Sequence, residues 1–369
     1  MSAANNLNQF PLVNIQAVTD TQDLWVGLVV EVVPQAGEDV STALGAVFGD
    51  LEMAAALAQL EWVLPLPCPR PDDNVMALLP PECVLPLFRA DCLTREQAPA
   101  AVARWQDMGY RVLLDGALPA GVDFTPRHAL RLARHVDDRA TRTAAEAAGA
   151  SWFCGDYVLD TDPDAPPQDS ASRKRLLALL ALVARDADTR ELELQVKQDP
   201  ALAYHLLKLA NSAAVGSKAR IASFAQAIHV LGRRQLQRWL QLLLYARQQE
   251  DGPINPLLPL AALRAACMEA LVKQQGGPVE FQDLAFMTGM FSLLDRLFGM
   301  SMVELCAALS LPQEVETALL QRQGTLGRML NLVESPSEAY LQQAECDAAM
   351  WWKVQLAGFR WAIQVSRDL

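Results

Sequence analysis

The sequence predicts two domains of different class, an α/β domain followed by an all-helical one. Three observations carry this. Short β-rich apolar runs are concentrated in the first half, the longest being Trp25 to Val33 (WVGLVVEVV). An acidic, Pro-rich stretch from Asp160 to Gln168 has no large apolar residue, so it suits neither a helix interior nor a central strand. Beyond it, apolar residues recur at helical spacing almost to the end. The expected organisation is an α/β domain over 1–160, a linker over 161–170 and a helical domain over 171–369. A chain of 369 residues is long enough for two cores of ordinary size.

In the first domain, Leu51, Ala54, Ala55, Ala58 and Trp62 predict one helix from Leu44 to Leu64, stopped by the Pro-rich turn Pro65 to Pro71. Val84 to Phe88 reads as a short strand. Arg95 to Met108 is amphipathic, with Ala98, Val102 and Trp105 at helical spacing, and Gly109 to Leu114 (GYRVLL) follows as a buried strand. Helix, Gly, strand is the grammar of an α/β unit. Trp152 to Leu159 is a final strand-like segment.

In the second domain, helices are expected at 173–185, 189–198 and 200–213. A short helix capped by Ser223 should end near Gly232, and a longer one should run from Arg233 to about Gln249. Further helices are expected at 257–275, 281–298, 302–309, 312–321 and 326–334. The last, 338–366, has a candidate break near Gly358. It carries Met350, Trp351, Trp352, Val354, Leu356, Phe359, Trp361, Ile363 and Val365. Trp352, Phe359 and Ile363 fall on one stripe, which fits either packing against a core or an interface with a partner.

Composition excludes several classes. At 51% hydrophobic and 20% charged residues, the chain must bury its apolar excess in packed helices or in an interface. The N-terminus has no basic flank, apolar core or cleavage signal, so the protein is expected to stay in the cytoplasm. No stretch reaches the apolar length of a membrane span; the best, Met287 to Met300, contains Asp295 and Arg296. Seven scattered Cys without a C-x-x-C pair fit reduced thiols better than disulfides or zinc. The net charge is −12, and residues 1–168 hold 10 Arg and no Lys against 23 acidic residues. Such a half is poorly suited to a phosphate backbone. Lys218, Arg220, Arg233, Arg234 and Arg238 cluster in the second half, three of them at a helix start where they oppose the macrodipole. A solvated face, an acidic protein segment and nucleic acid are the open readings.

The block from Gln198 to Leu236 (QDPALAYHLLKLANSAAVGSKARIASFAQAIHVLGRRQL) closely resembles the signature of the HDOD family, a non-hydrolytic relative of the HD phosphohydrolases. The matching residues are Gln198 to Leu202, Leu209 to Ala213, Gly216, Ile221, Ser223, Ala227, Ile228, Leu231 and Gly232. The first half resembles a shortened, degenerate EAL domain, the fold of cyclic di-GMP phosphodiesterases, in the arrangement of EAL-HDOD (YuxH-like) signal transduction proteins. Gln16 to Val32, Pro81 to Leu87, Gly109 to Gly116 and Gly149 to Leu159 carry that likeness. The resemblance implies a degenerate, incomplete EAL-like barrel, since a full eight-stranded barrel takes about 250 residues, followed by an all-α HDOD domain.

The chemistry the resemblance would require is thinned out. The family's ligand Glu after Gly27 is absent at its place, where Val29 stands, or displaced by two, to Glu31. Pro86 stands where another metal-binding Glu falls, and Gly116 replaces the partner of Asp115. A lone carboxylate cannot organise a two-metal centre. No His is followed by Asp; His205 and His229 sit among apolar residues, and His128 and His135, seven apart, are surrounded by Arg127, Arg131 and Arg134. No phosphate loop, G-x-S-x-G elbow or H-E-x-x-H helix is present. The expectation is therefore no catalytic, cofactor-binding or metal-ligating residue, no cofactor and no enzymatic activity. The protein is expected to signal through protein–protein interaction of its HDOD domain, with a protein partner or a second copy. Cyclic di-GMP binding without hydrolysis is the alternative, a residual metal-dependent phosphodiesterase the weaker one. Neither nucleic acid nor a membrane is expected as a partner.

Overall fold

The structure, a computed structural model, describes residues 10–34, 37–49, 57, 60–66, 73–91, 98–116, 131–160, 177–182, 187–188, 191–192, 194, 224–245 and 255–368. Most of the HDOD-like signature lies outside these residues. So do most of the helices expected at 173–185 and 189–198, and all of that at 200–213. The chain divides into two compact units. One comprises residues 1–160 with 345–359, the other 161–344 with 360–369. Residues 345–359, assigned from the sequence to the helical domain, thus group with the first unit.

The first unit is a closed barrel of seven strands. β1 (Leu12–Thr19) and β2 (Trp25–Val33) form an antiparallel hairpin, in register from Leu12↔Val33 to Val18↔Gly27. Asp20 closes its turn, its carboxylate accepting from the backbone N–H of Gln22 (2.8 Å) and Leu24 (3.1 Å). β3 (Glu61–Pro65), β4 (Val84–Arg89), β5 (Leu113–Asp115), β6 (Arg131–Ala133) and β7 (Trp152–Phe153) then follow in parallel, each beside its predecessor. β7 meets β1 antiparallel at the single pair Thr19↔Phe153. The barrel is one strand short of eight, in keeping with its length, and closes nonetheless. Val18, Val29, Val63, Leu85, Leu87, Leu113, Leu132 and Cys154 fill its interior.

Among the described residues, helices between these strands include α1 (Val40–Phe48), α2 (Asp73–Leu78), α3 (Ala98–Asp107) and α4 (Arg139–Ala147). Asp39 and Asp138 cap α1 and α4, accepting from Ser41 N–H (2.8 Å) and Thr141 N–H (2.6 Å). Of the helix expected from Leu44 to Leu64, the part over 50–56 and 58–59, with Leu51, Ala54, Ala55 and Ala58, lies outside the described residues, Leu57 is helical, and the two flanks are corrected. α1 stops before Gly49, and Glu61–Pro65 is a strand. Trp62, Val63 and Leu64 are consecutive buried residues between two parallel neighbours, and such a run shows no alternation to mark it as a strand. The final strand-like segment shrinks to Trp152–Phe153, with a 3-10 turn at Tyr157–Leu159.

In the second unit, α5 (Phe224–Leu243) is kinked at Gly232, whose φ of 74° a side chain rarely adopts; the sequence places its helix boundary there. α6 (Leu257–Gln274) and α7 (Val279–Phe291) pack closely. A Cβ on Gly289 would lie 2.6 Å from Ala265 Cα, so only Gly permits this crossing. α8 (Leu294–Phe298) follows a break at Ser292 and Leu293 that the sequence pattern runs through. α9 (Met302–Leu309) starts with a capping box between Ser301 and Glu304. α10 (Gln313–Gln321), α11 (Gly324–Glu334) and α12 (Glu338–Gln343) follow. α13 (Ala348–Asp368) is separated from α12 at residues 344–347, where Glu345 has φ 53°, and runs straight through Gly358. The break therefore falls well before the expected one.

Candidate functional site

Strand alternation builds the site. Side chains two residues apart on a strand share a face, and the interior residues Val29, Leu87, Leu113 and Leu132 are each followed two positions on by a charged residue. These four, Glu31, Arg89, Asp115 and Arg134, collect at the carboxyl ends of β2, β4, β5 and β6, one mouth of the barrel. Register confirms the juxtaposition, with Arg89 paired to Asp115 across β4 and β5, and Asn14 to Glu31 across β1 and β2.

Arg134 is the centre of the mouth. Its guanidinium forms an ion pair with Glu31, and its backbone N–H donates to Asp115 Oδ1 at 3.4 Å. With only 13% of its side chain exposed, it is held more deeply than Glu31 at 35%. Arg89 is outermost, 78% exposed and paired to Asp91 at 2.6 Å. Deeper in, Cys154 donates to Gln16 Oε1 at 3.3 Å. Burial pushes its thiol up to about 12, against the opposing pull of Arg134, so it is neither a nucleophile nor a thiolate ligand at neutral pH. Asn14 Oδ1 and Arg134 Nε are buried without a hydrogen-bond partner.

A divalent cation does not fit these residues. Two carboxylates are present, and a guanidinium already neutralises one of them from inside the barrel. Among the described residues, no group of three or more His, Cys, Asp and Glu is placed to hold a metal ion. In the sequence Asp115 stands out and Glu31 is displaced from the ligand position. The structure brings the two to one mouth and adds Arg134, which in the sequence is only one of the charges around His128 and His135. The signal that could have found Arg134 is its two-residue offset from buried Leu132. His135 lies in the loop after β6 with φ 55°, not on a helix. His128 and His205 lie outside the described residues, as does the side chain of His229.

In the second unit the basic residues at the start of the helix find intramolecular partners. Arg234 Nε reaches Asp283 at 2.6 Å, and Arg238 binds Glu269 and Asp283, the latter at 3.0 Å, while stacking over Phe286 at 4.5 Å. These two cations are thus offset by α6 and α7; Lys218, Arg220 and the Arg233 side chain lie outside the described residues. Trp351, Trp352 and Phe359 are all buried. Trp352 meets Phe10 at 6.0 Å and Phe359 meets Trp25 at 5.7 Å, whereas Trp361 stacks edge-on to Phe286 at 5.4 Å.

Residues 168–338 match the HDOD domain model, and the second half of this chain carries an HDOD domain. Over 217 residues the chain is 29% identical to the cyclic di-GMP phosphodiesterase CdgJ of Vibrio cholerae, covering 58% of this chain and 49% of that protein. Over 142 residues it is 32% identical to the uncharacterized protein YuxH of Bacillus subtilis, covering 38% of this chain and 34% of that protein. The chain therefore spans half or less of the length of these curated relatives. A standalone EAL protein from Vibrio cholerae in its c-di-GMP bound form aligns with 41% of this chain and 91% of its own, at 14% identity and a TM-score of 0.31. The HDOD match and the two relatives fit an EAL-HDOD arrangement.

Proposed function

We propose that this chain is a non-enzymatic signal transduction protein, cytoplasmic and linked to cyclic di-GMP signalling, that acts through protein–protein interaction of its HDOD domain. The observation that carries the proposal is Arg134. Metal-assisted phosphodiester hydrolysis needs several carboxylates around a cation that activates water. In this barrel a side-chain cation is already seated on Glu31 beside Asp115. A metal ion entering there would have to displace the guanidinium and find further ligands. No described helix is long and apolar enough to cross a membrane.

The second reading is a cyclic di-GMP receptor that does not hydrolyse its ligand. Arg89 and Arg134 favour it, because guanidinium groups match phosphate oxygens in bidentate fashion, and CdgJ is named as a phosphodiesterase of that nucleotide.

The deciding experiment incubates the full chain with cyclic di-GMP and magnesium or manganese, with titration calorimetry run in parallel. No turnover and no heat are expected for a protein-binding adaptor. Heat without turnover would transfer the conclusion to the receptor reading. Turnover abolished by Asp115→Asn would overturn both. As an internal check, Arg134→Ala should raise Mn2+ affinity at the mouth, because removing the guanidinium leaves Glu31 unneutralised; an unchanged affinity would deprive Arg134 of the role given to it.

A further inference from the structure

The barrel closes on one strand pair. Between β1 and β7 only Thr19↔Phe153 is paired, so among the described residues the outward backbone groups of β1 above that point have no strand neighbour. Two of them are nonetheless bonded, by a side chain more than 300 residues away in sequence. Gln355 of α13 donates from Nε2 to Val13 C=O at 2.7 Å and accepts Ile15 N–H on Oε1 at 3.0 Å. A primary amide offers a donor and an acceptor with the spacing of a peptide group, so it can stand in for the missing strand. Gln355 is buried at 3% exposure, and both amide atoms are used. Trp352 on Phe10 and Phe359 on Trp25 flank it on the same helix, one at each end of the β1–β2 hairpin.

β1 carries mouth residues on its inner face. Asn14 is paired to Glu31, and Gln16 accepts from Cys154 across the seam. The two backbone groups that Gln355 grips belong to Val13 and Ile15, the residues on either side of Asn14.

We propose that residues 345–359 are a built-in strap over the β1–β7 seam, and that Gln355 is a positioning residue whose grip on β1 sets the barrel mouth. Releasing the strap frees the edge of β1, shifts Asn14 and Gln16, and opens the seam beside Cys154. The device rests on barrel geometry and is independent of whether the mouth binds or hydrolyses a nucleotide.

Hydrogen exchange and thiol alkylation on the full chain test it. In Gln355→Leu, the Ile15 amide should exchange about ten- to a hundredfold faster, the factor expected for exposing a backbone group whose hydrogen bond is lost. Cys154 should become open to alkylation, while amides in α6 and α7 keep their protection. Unchanged protection of Ile15 with an unreactive Cys154 would overturn the proposal. Gln355→Glu keeps the test alive if the leucine variant does not fold. Protonated, its carboxyl donates to Val13 C=O and accepts Ile15 N–H; ionised, it repels the Val13 oxygen and is pushed off the edge, so the protection factor of Ile15, corrected for the intrinsic pH dependence of exchange, should be higher at acidic than at alkaline pH. A pH-independent Ile15 in that variant would also count against the strap.

Discussion

At the level of single residues, guanidinium groups do the organising. Arg134 binds a carboxylate that composition alone would count as a candidate ligand, and Arg238 converts two acidic residues of α6 and α7 into a closed ion-pair cluster. The most buried example is Arg264, 8% exposed, which donates to Ser292 Oγ at 3.0 Å and to Glu334 at 2.8 Å. Glu334 also receives Arg322 through Nε and Nη2, both at 3.1 Å, while the same guanidinium caps carbonyls at the end of α10. One carboxylate therefore ties α6, α10 and α11 together. Glu334→Leu removes it and leaves two guanidinium groups facing apolar surface, at a cost of about 2–4 kcal/mol in denaturant-measured stability. Glu334→Gln keeps the acceptor oxygen and should cost less, about 1 kcal/mol. Equal losses for the two substitutions would show that packing around the site, not its charge, holds these helices.

At the level of elements, close approach decides which helices can cross. Gly289 of α7 sits against the backbone of α6, where an added Cβ would meet Ala265 Cα and N at 2.6 Å. Gly45, inside α1, would place the same atom 3.7 Å from the flexible end of Leu78, an ordinary contact. Gly289→Ala should therefore destabilise by about 1–3 kcal/mol as the helices are pushed apart. Gly45→Ala should be neutral or stabilising by up to about 1 kcal/mol from helix propensity. Thermal unfolding of the two variants gives the comparison, and a harmless Gly289→Ala would mean that the crossing is looser than its geometry. The same contrast explains what the sequence reveals about elements. The periodicity of 257–275, 302–309 and 312–321 is helical and nothing competes with it, so those helices stand within a few residues of expectation. β3 and β6 are invisible to periodicity, because a strand buried on both sides or only three residues long has no pattern to show. The strap escapes notice for another reason: a Gln among Trp and Leu on an aromatic helix reads as a solvent-facing interruption until a strand edge is seen beneath it.

At the level of the whole molecule, charge is the property most legible in sequence and least altered by folding. The net charge of −12 is concentrated in the first half, where 23 acidic residues face 10 Arg. The mouth pairs Arg134 with Glu31 and Arg89 with Asp91, so the barrel offers no free basic stripe among these residues. In the helical unit Arg234 and Arg238 spend their charge on Glu269 and Asp283. Nonspecific binding to nucleic acid comes from unneutralised Lys and Arg releasing counterions, with dissociation constants of about 10⁻⁴ to 10⁻⁶ M at physiological salt for proteins equipped for it. This chain should therefore show no mobility shift with duplex or single-stranded DNA at physiological salt, even at tens of micromolar protein, about the middle of that range. Lowering the salt should not rescue binding, because the acidic half repels the backbone more strongly as screening weakens. Charge reversal separates the two contributions. Glu269→Lys with Asp283→Lys frees Arg234 and Arg238 and adds two cations, so any DNA retention that then appears, and steepens as salt is lowered, locates the suppression in those ion pairs. Retention by the unmodified chain would instead place a basic surface among Lys218, Arg220 and Arg233, and would reopen nucleic acid as the partner of the HDOD domain.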